Sequence, residues 1–420
     1  MSQPNMLEFT DWLSNECLYS LTNDLEIAGM MNTDYIPDFQ QEFAVGETIR
    51  VPYPQRYVAT NGFAYSPQPI NRKHTTVTID QPIQVSFEWG TIEQALKLTR
   101  GREKIKREVI DPAMNEIRQQ IESRAALFMM QNCPNIVGVL GTDPTTFDAT
   151  SAAARQLLVQ NACPSKGERG IFVPPAVMRA LKNSNISYFN PQPDISKMVR
   201  TGVVGYGDGF EWHESVSLQS HTSGTVAGTF TTNGVQSGNQ LTVNCTSGDV
   251  WNAGDVIGMP AGYYPVNPST RRVISTSQVK TVVVATTTTA SASTATIPLV
   301  PTGPGGAIAG PGDQYQNINA LPANGGTLTI FPGSSITTTA KSGTNGLAFH
   351  RDAFALVGVP LMIPTACELS SQARDPNTGI QVAFVRMFDP VERKMINRFD
   401  CLIGFGVLFA ENCAVRVLGA

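Results

Sequence analysis

The sequence is short of charge. Asp, Glu, Lys and Arg make up 15% of 420 residues, well under the usual quarter, and the net charge is −4. A balance so near neutrality excludes a strongly basic nucleic-acid binder. No stretch approaches about 18 uninterrupted apolar residues, so no membrane-spanning helix is expected. The start, "MSQPNMLEFTDWLSNECLYS", lacks a cationic opening followed by an apolar run and does not read as a secretory signal. The cysteines (Cys17, Cys133, Cys163, Cys245, Cys367, Cys401, Cys413) are scattered and odd in number. With no CxxC pair and no Cys/His cluster they indicate neither a disulfide framework nor a zinc site, and reduced thiols in a cytoplasm fit best.

Catalytic signatures are missing too. Four histidines (His74, His213, His221, His350) fall in four different contexts, and neither GxSxG nor HExxH occurs. His350, Arg351 and Asp352 spell the tripeptide that opens a kinase catalytic loop. That loop needs Asn five residues after its Asp to hold magnesium, and here the position is Val357. No Asp-Phe-Gly follows, so the tripeptide is expected to mark where the chain re-enters its main body. "GPGGAIAGPG" (303–312) lacks the Lys-Ser/Thr ending of a phosphate loop and reads as a flexible connection. "GYGDGF" (205–210) has no second carboxylate cluster at calcium spacing. The reading is therefore not an enzyme, with no catalytic, cofactor-binding or metal-ligating residue assigned.

What the chain does have is strong regional contrast. Residues 1–49 hold nine acids and no Lys or Arg. An arm this acidic on a mildly basic remainder invites a basic partner, though a solvated face explains it equally well. "GETIRVPYPQ" and "HTTVTIDQPIQVSFEW" read as strands. Val77, Ile79, Ile83, Val85, Phe87 and Trp89 alternate with polar residues in the second, the period of a sheet with one buried face. Residues 54–74 between them look like a long excursion that rests on something else. Helical character begins at Thr91. Asp111 then Pro112 predicts a capped start, and Ala113, Ile117, Ile121, Ala125 and Phe128, with Met114 and Leu127 beside them, form an apolar stripe to about Asn132.

Residues 150–220 mix helix and short strands. From Thr222 to Asn345 the chain holds only seven charges in 124 residues, and β-branched runs separated by Gly, Pro and Asn predict an all-β barrel or sandwich inserted into another domain, its ends close together. Sheet-like runs return after Gly346 and continue to the final residue, so the C-terminal run is expected in a core.

Three stretches carry a resemblance: "AGDVIGMPAGYYPVNPSTRR" (253–272), "NGLAFHRDAFALVGVPLMIP" (345–364) and "FDPVERKMINRFDCLIGFGVLFAENCAVRVLGA" (388–420). With the order of domains, they make the chain similar to tailed-phage major capsid (coat) proteins of the Hong Kong 97 type, and more narrowly to the podophage P22-type coat family with an insertion domain. The resemblance implies an α+β, HK97-like capsid fold: an N-terminal arm (1–45), an extended hairpin loop (46–90), a peripheral domain with a long spine helix (91–141), an axial domain (142–221 and 346–380) interrupted by a β-barrel (222–345), and C-terminal strands (381–420). It implies self-assembly into pentamers and hexamers of an icosahedral shell around double-stranded DNA, contacted nonspecifically. The implied location is the virion capsid, assembled in a host bacterial cytoplasm. Implied partners are further copies of the chain, a separate scaffolding protein, a portal protein and a decoration protein, and no membrane. Lys73 is the one amine in the hairpin, so covalent cross-linking is not carried over. Glu8, Asp11, Glu16, Asp24 and Glu26 are the candidate contacts for a basic scaffold segment or a neighbouring subunit. The alternative is a β-rich phage fibre or adhesin-type receptor-binding protein, favoured by the Thr-rich insert and opposed by the long helix and the absence of repeats.

Overall fold

Alternation along His74–Gly90 places Val77, Ile79 and Ile83 in a core, with Val85 and Phe87 half-buried. The computed structural model describes residues 15, 17–18, 21, 25–34, 48–57, 62–63, 67–68, 70, 72–90, 109–144, 146, 148–165, 168–184, 205–331, 340–361, 367, 369–375, 379–391 and 394–419. The Thr91 helix start, with most of the acidic arm, lies outside them. The chain divides into two units. One comprises 1–49, 76–125 and 355–406, the other 50–75, 126–354 and 407–420.

In the first unit the sheet runs in the order His74–Gly90, Lys394–Val407, Gln381–Asp389, Leu369–Arg374, with Phe354–Gly358 also pairing with Lys394–Val407. On Lys394–Val407, Met395, Asn397, Phe399 and Cys401 point inward while Ile396 and Arg398 face solvent, the two-residue period expected of a half-covered strand. Past Cys401 both faces are covered. Here the run Gly404-Phe405-Gly406 has a mechanical reason: a Cβ at 404 would sit 2.6 Å from Thr78 O, and one at 406 would sit 2.4 Å from Val77 Cγ2. The register slips between Thr78 and Gln81, a bulge just before Pro82, where a strand tolerates a residue without an N–H.

The helix Asp111–Asn132 buries Ala113, Met114, Ile117, Ile121, Ala125, Met129 and Met130. It departs from expectation at two points. The chain is already wound, in π geometry, at Val109 and Ile110, so Asp111 is no isolated cap; the wider turn accommodates the donor that Pro112 lacks. Leu127, predicted beside the stripe, is 38% exposed.

In the second unit a mixed sheet runs Ile136–Val137, Ala414–Leu418, Ser342–His350, Arg169–Val173, Phe210–Glu214, Gly205–Gly207, with helices Ala153–Gln160 and Pro175–Ser184. Ala414–Leu418 is buried throughout, so the C-terminal run is strapped into a core. Phe172 stacks on Phe349 at 5.6 Å and on His213 at 4.9 Å.

Between Val226 and Ile330 short strands form small sheets around one apolar cluster that includes Phe230, Leu241, Trp251, Ile257 and Ile297. Thr222 pairs with Ser342, so the two ends of the low-charge segment lie side by side. A second cluster joins Val256, Val283 and Val300 of that segment to Ile136, Leu140 and Leu418 outside it. The glycine-rich 303–312 run corrects an expectation. It is no loose connection: Ala307, Ile308 and Ala309 are buried, and Ile308 exchanges backbone hydrogen bonds with Gly238.

Candidate interaction surfaces

His350 Nδ1 accepts the N–H of Asp352 (3.2 Å), capping the short turn Arg351–Ala353 between two strands. The tripeptide thus ends the strand Ser342–His350 well inside the sheet. Re-entry from the low-charge segment happens earlier, at the Thr222–Ser342 pairing. His221 Nε2 lies 2.8 Å from Asp255 Oδ1. Asp255 Oδ2 accepts the N–H groups of Gly224 (2.9 Å) and Asn252 (2.7 Å). Such a satisfied buried carboxylate fixes the start of the segment. Among the described residues no group of three His, Cys, Asp or Glu side chains is placed to hold a metal ion.

Of the acidic candidates, Glu8, Asp11, Glu16 and Asp24 lie outside the described residues. Glu26 is described, and its side chain is exposed. Its backbone has a partner that sequence reasoning missed, Glu122 on the long helix. Glu122 is 5% exposed, and its carboxylate accepts the N–H groups of Glu26 (2.9 Å), Ile27 (2.9 Å) and Ala28 (3.2 Å) at the 3-10 turn Ala28–Met30. Burial pushes its pKa up to about 7, against the opposing pull of those three donors. Cys17, Leu21, Ile27, Ala28 and Met31 are buried nearby in sequence, so the end of the arm is anchored within its own unit. A lone Glu on an otherwise apolar stripe was the available signal.

In the second unit the base of the 54–72 excursion is gripped by a segment it is far from in sequence. Tyr53 N–H donates to Lys73 O (3.0 Å), closing the excursion. Lys73 Nζ pairs with Asp313 at 3.1 Å, Tyr315 OH donates to Pro54 O (3.1 Å), and Gln314 Nε2 donates to Arg56 O (3.0 Å). Arg56 and Lys73 both lie over the Tyr315 ring, at 5.5 and 5.4 Å from its centroid. Burial lowers the pKa of Arg56, with Glu411 and the neighbouring tyrosines opposing it. Glu411 in turn pairs with the buried Lys280 and accepts from Asn317 Nδ2 (3.4 Å), tying the low-charge segment to the C-terminal run.

Beyond these clamps, large apolar side chains stand in water. On the excursion Tyr57, Phe63 and Ile70 are exposed, Phe63 fully. In the first unit Met387, Phe388, Val391 (88% exposed) and Ile396 are exposed near where Gln381–Asp389 turns into Lys394–Val407, Met387 directly opposite Ile396 and Phe388 on the other face. Grouped exposed apolar side chains are the usual mark of a surface that meets other protein.

No protein-family model and no curated protein matches the chain. Among solved structures it is similar to a chain of Mycobacterium phage Che8, at 11% identity over 94% of this chain and 93% of that one, with a TM-score of 0.44. It is also similar to the capsid of cyanophage P-SCSP1u (10%, covering 91% and 86%, TM-score 0.42) and to the mature capsid of bacteriophage PhiM1 (9%, covering 93% and 88%, TM-score 0.42).

Proposed function

We propose that this chain is the major capsid protein of a tailed bacteriophage, with an α+β, HK97-like fold, assembling as pentamers and hexamers into an icosahedral shell around double-stranded DNA. The observation that carries the reading is the exposure of large apolar side chains along the excursion, Tyr57, Phe63 and Ile70, and at the hairpin tip, Met387, Phe388, Val391 and Ile396. Keeping such a side chain in water forgoes about 1.5–3 kcal/mol relative to burying it, and repeated copies of the chain supply the cover. Small apolar groups on a sparsely charged surface make contacts that are weak singly and numerous together, which lets a misplaced subunit leave.

Within this reading 46–90 is the extended loop lying on a neighbouring copy. The helix ending at Asn132 is the spine, and 222–345 is the insertion characteristic of the P22-type branch. The paired ends at Thr222 and Ser342 and the cluster from Val226 to Ile330 support an insertion, while Val256, Val283 and Val300 make it a supported one, packed on the body. Portal and decoration proteins, nonspecific DNA contacts and assembly in a host cytoplasm follow from the same reading.

A separate scaffolding protein docks its basic segment on the acidic arm through Glu8, Asp11, Glu16, Asp24 and Glu26, a contact that salt screens and can release. Charge reversal of these five to Lys lowers scaffold-dependent assembly in moderate salt; an unchanged procapsid yield removes the docking role. The reading as a whole is tested by negative-stain electron microscopy of the purified chain with and without scaffold. Closed shells or five- and six-membered rings support it, and trimeric rods or a persistent monomer overturn it.

A further inference from the structure

Two segments far apart in sequence hold the roots of the 54–72 excursion. The first is the C-terminal run: Tyr53 OH donates to Leu408 O (2.9 Å), the Tyr53 ring packs edge-on against Phe409 at 5.3 Å, and Thr75 Oγ1 donates to Val407 O (3.0 Å). The second is the turn 313–315. Lys73 Nζ reaches both oxygens of Asp313 (3.2 and 3.1 Å). Gln314 Nε2 donates to Arg56 O (3.0 Å) and also to Gln55 Oε1, and Tyr315 OH donates to Pro54 O (3.1 Å). Three consecutive residues thus take hold of both roots.

The turn is itself braced. Asp313 Oδ1 accepts the N–H of Tyr315 (2.9 Å), an Asx turn that fixes its shape, and Arg271 Nη2 donates to Gln314 O (3.0 Å). Tyr315 is buried, so its ring is a fixed seat for the Arg56 and Lys73 charges above it. The Lys73 and Asp313 side chains, by contrast, are 32% and 35% exposed, which makes this pair the part of the grip most open to screening by salt. Among the three acids of residues 222–345, Asp249 and Asp255 are buried and accept backbone N–H groups. Asp313 alone keeps its charge near solvent and spends it on the excursion.

We propose that Asp313, Gln314 and Tyr315 are positioning residues, a clamp that fixes the direction in which the excursion leaves the body and so presents Tyr57, Phe63 and Ile70 to a second copy of the chain. Association that must first order the roots of a contact loses affinity to the lost freedom, whereas roots ordered during folding carry no such cost at the moment of contact. The low-charge segment then has a task beyond its own core: it sets the aim of a contact it does not make. What the excursion meets rests on the self-assembly reading; the clamp itself does not.

The test follows hydrogen–deuterium exchange of peptides covering 51–57 and 72–75 in the full-length protein at about 0.1 M and about 1 M salt, with assembly scored by electron microscopy in parallel. Lys73→Asp sets like charges against each other at the root. Exchange there is expected to rise about fivefold, with fewer shells or rings and an unfolding midpoint little changed. Adding Asp313→Lys restores an opposite pair and recovers most of both losses. Salt acts with opposite sign in the two proteins: it speeds root exchange in the wild type by screening an attraction, and slows it in Lys73→Asp by screening a repulsion. A side chain that serves only as packing gives no such reversal. Root exchange left unchanged by Lys73→Asp, or not restored by the charge swap, overturns the clamp. Loosened roots with a wild-type yield of shells overturn its role in presenting the apolar side chains. If the wild type forms neither shells nor rings, the self-assembly reading fails and exchange alone decides the clamp. Should Lys73→Asp not fold, Gln314→Ala, which removes the amide donor to Arg56 O, supplies the same exchange measurement.

Discussion

The stretch from Val226 to Ile330 and the hairpin Gln381–Val407 are both alternating β-structure, yet they finish their cores differently. In the first, Phe230, Trp251, Ile257 and Ile297 meet residues of the same stretch, and ring packing such as Phe230 on Trp251 at 5.7 Å completes the cluster. In the second, Phe384 and Phe399 are buried on one face at 5.2 Å from each other, while four residues at the tip are left in water. The same two-residue period encodes a core closed by its own chain in one place and a surface awaiting cover in the other. Where strands fold back on themselves within a few tens of residues, local chain closes the core; at the tip of the long hairpin these apolar side chains stay exposed.

Breaking the closed core has the largest expected effect. Trp251 is fully buried, and Trp251→Ala leaves a cavity worth about 3–5 kcal/mol in urea unfolding. Its indole N–H has no acceptor among the described residues, so Trp251→Phe is expected to cost markedly less. A Trp251→Ala loss no larger than that of a surface substitution contradicts a self-completed core.

A middle-sized effect separates the anchored arm from both. Glu122→Ala removes the acceptor for three backbone N–H groups and costs about 1.5–3 kcal/mol. The pH dependence has a definite sign. The folded-state pKa is raised from 4.5 to about 7, so the folded protein binds the extra proton. The resulting stabilisation is complete below 4.5 and disappears as pH rises through 7. Glu122→Gln abolishes that slope; thermal melts of both proteins across this window check it, and parallel curves contradict it.

The smallest effect on stability belongs to the tip. Phe388→Ser with Val391→Ser changes the monomer's unfolding free energy by about 1 kcal/mol, nearly all of it from the half-buried Phe388, because Val391 is already solvated. The same double change is expected to abolish shells or rings in electron micrographs. Intact assembly would mean that these residues are merely exposed.

Much of this was visible before any coordinates. Val77, Ile79 and Ile83 announced their strand, the stripe from Ala113 to Ala125 its helix, and the loss of charge after Thr222 a β-rich stretch. The misses have physical causes. Glycines at 303–312 were read as flexibility because glycine permits both mobility and close packing, and only the neighbours distinguish them. Glu122 and the Asp313–Tyr315 grip were invisible because their partners lie some 94 to 261 positions away. The acidic arm was read by its side-chain charge, whereas the contact that the described part makes is through its backbone.

Local order was decided by the sequence alone. Periodicity, punctuation by Gly and Pro, and charge density are properties of neighbouring residues, and they set which segments become strand or helix and which face turns inward. Tertiary structure alone decided which distant groups meet: Glu122 under the arm, Lys73 against Asp313, and Glu411 with Lys280. Such pairings depend on how strands are ordered in a sheet, and no residue carries information about a partner hundreds of positions away until the fold has brought the two together.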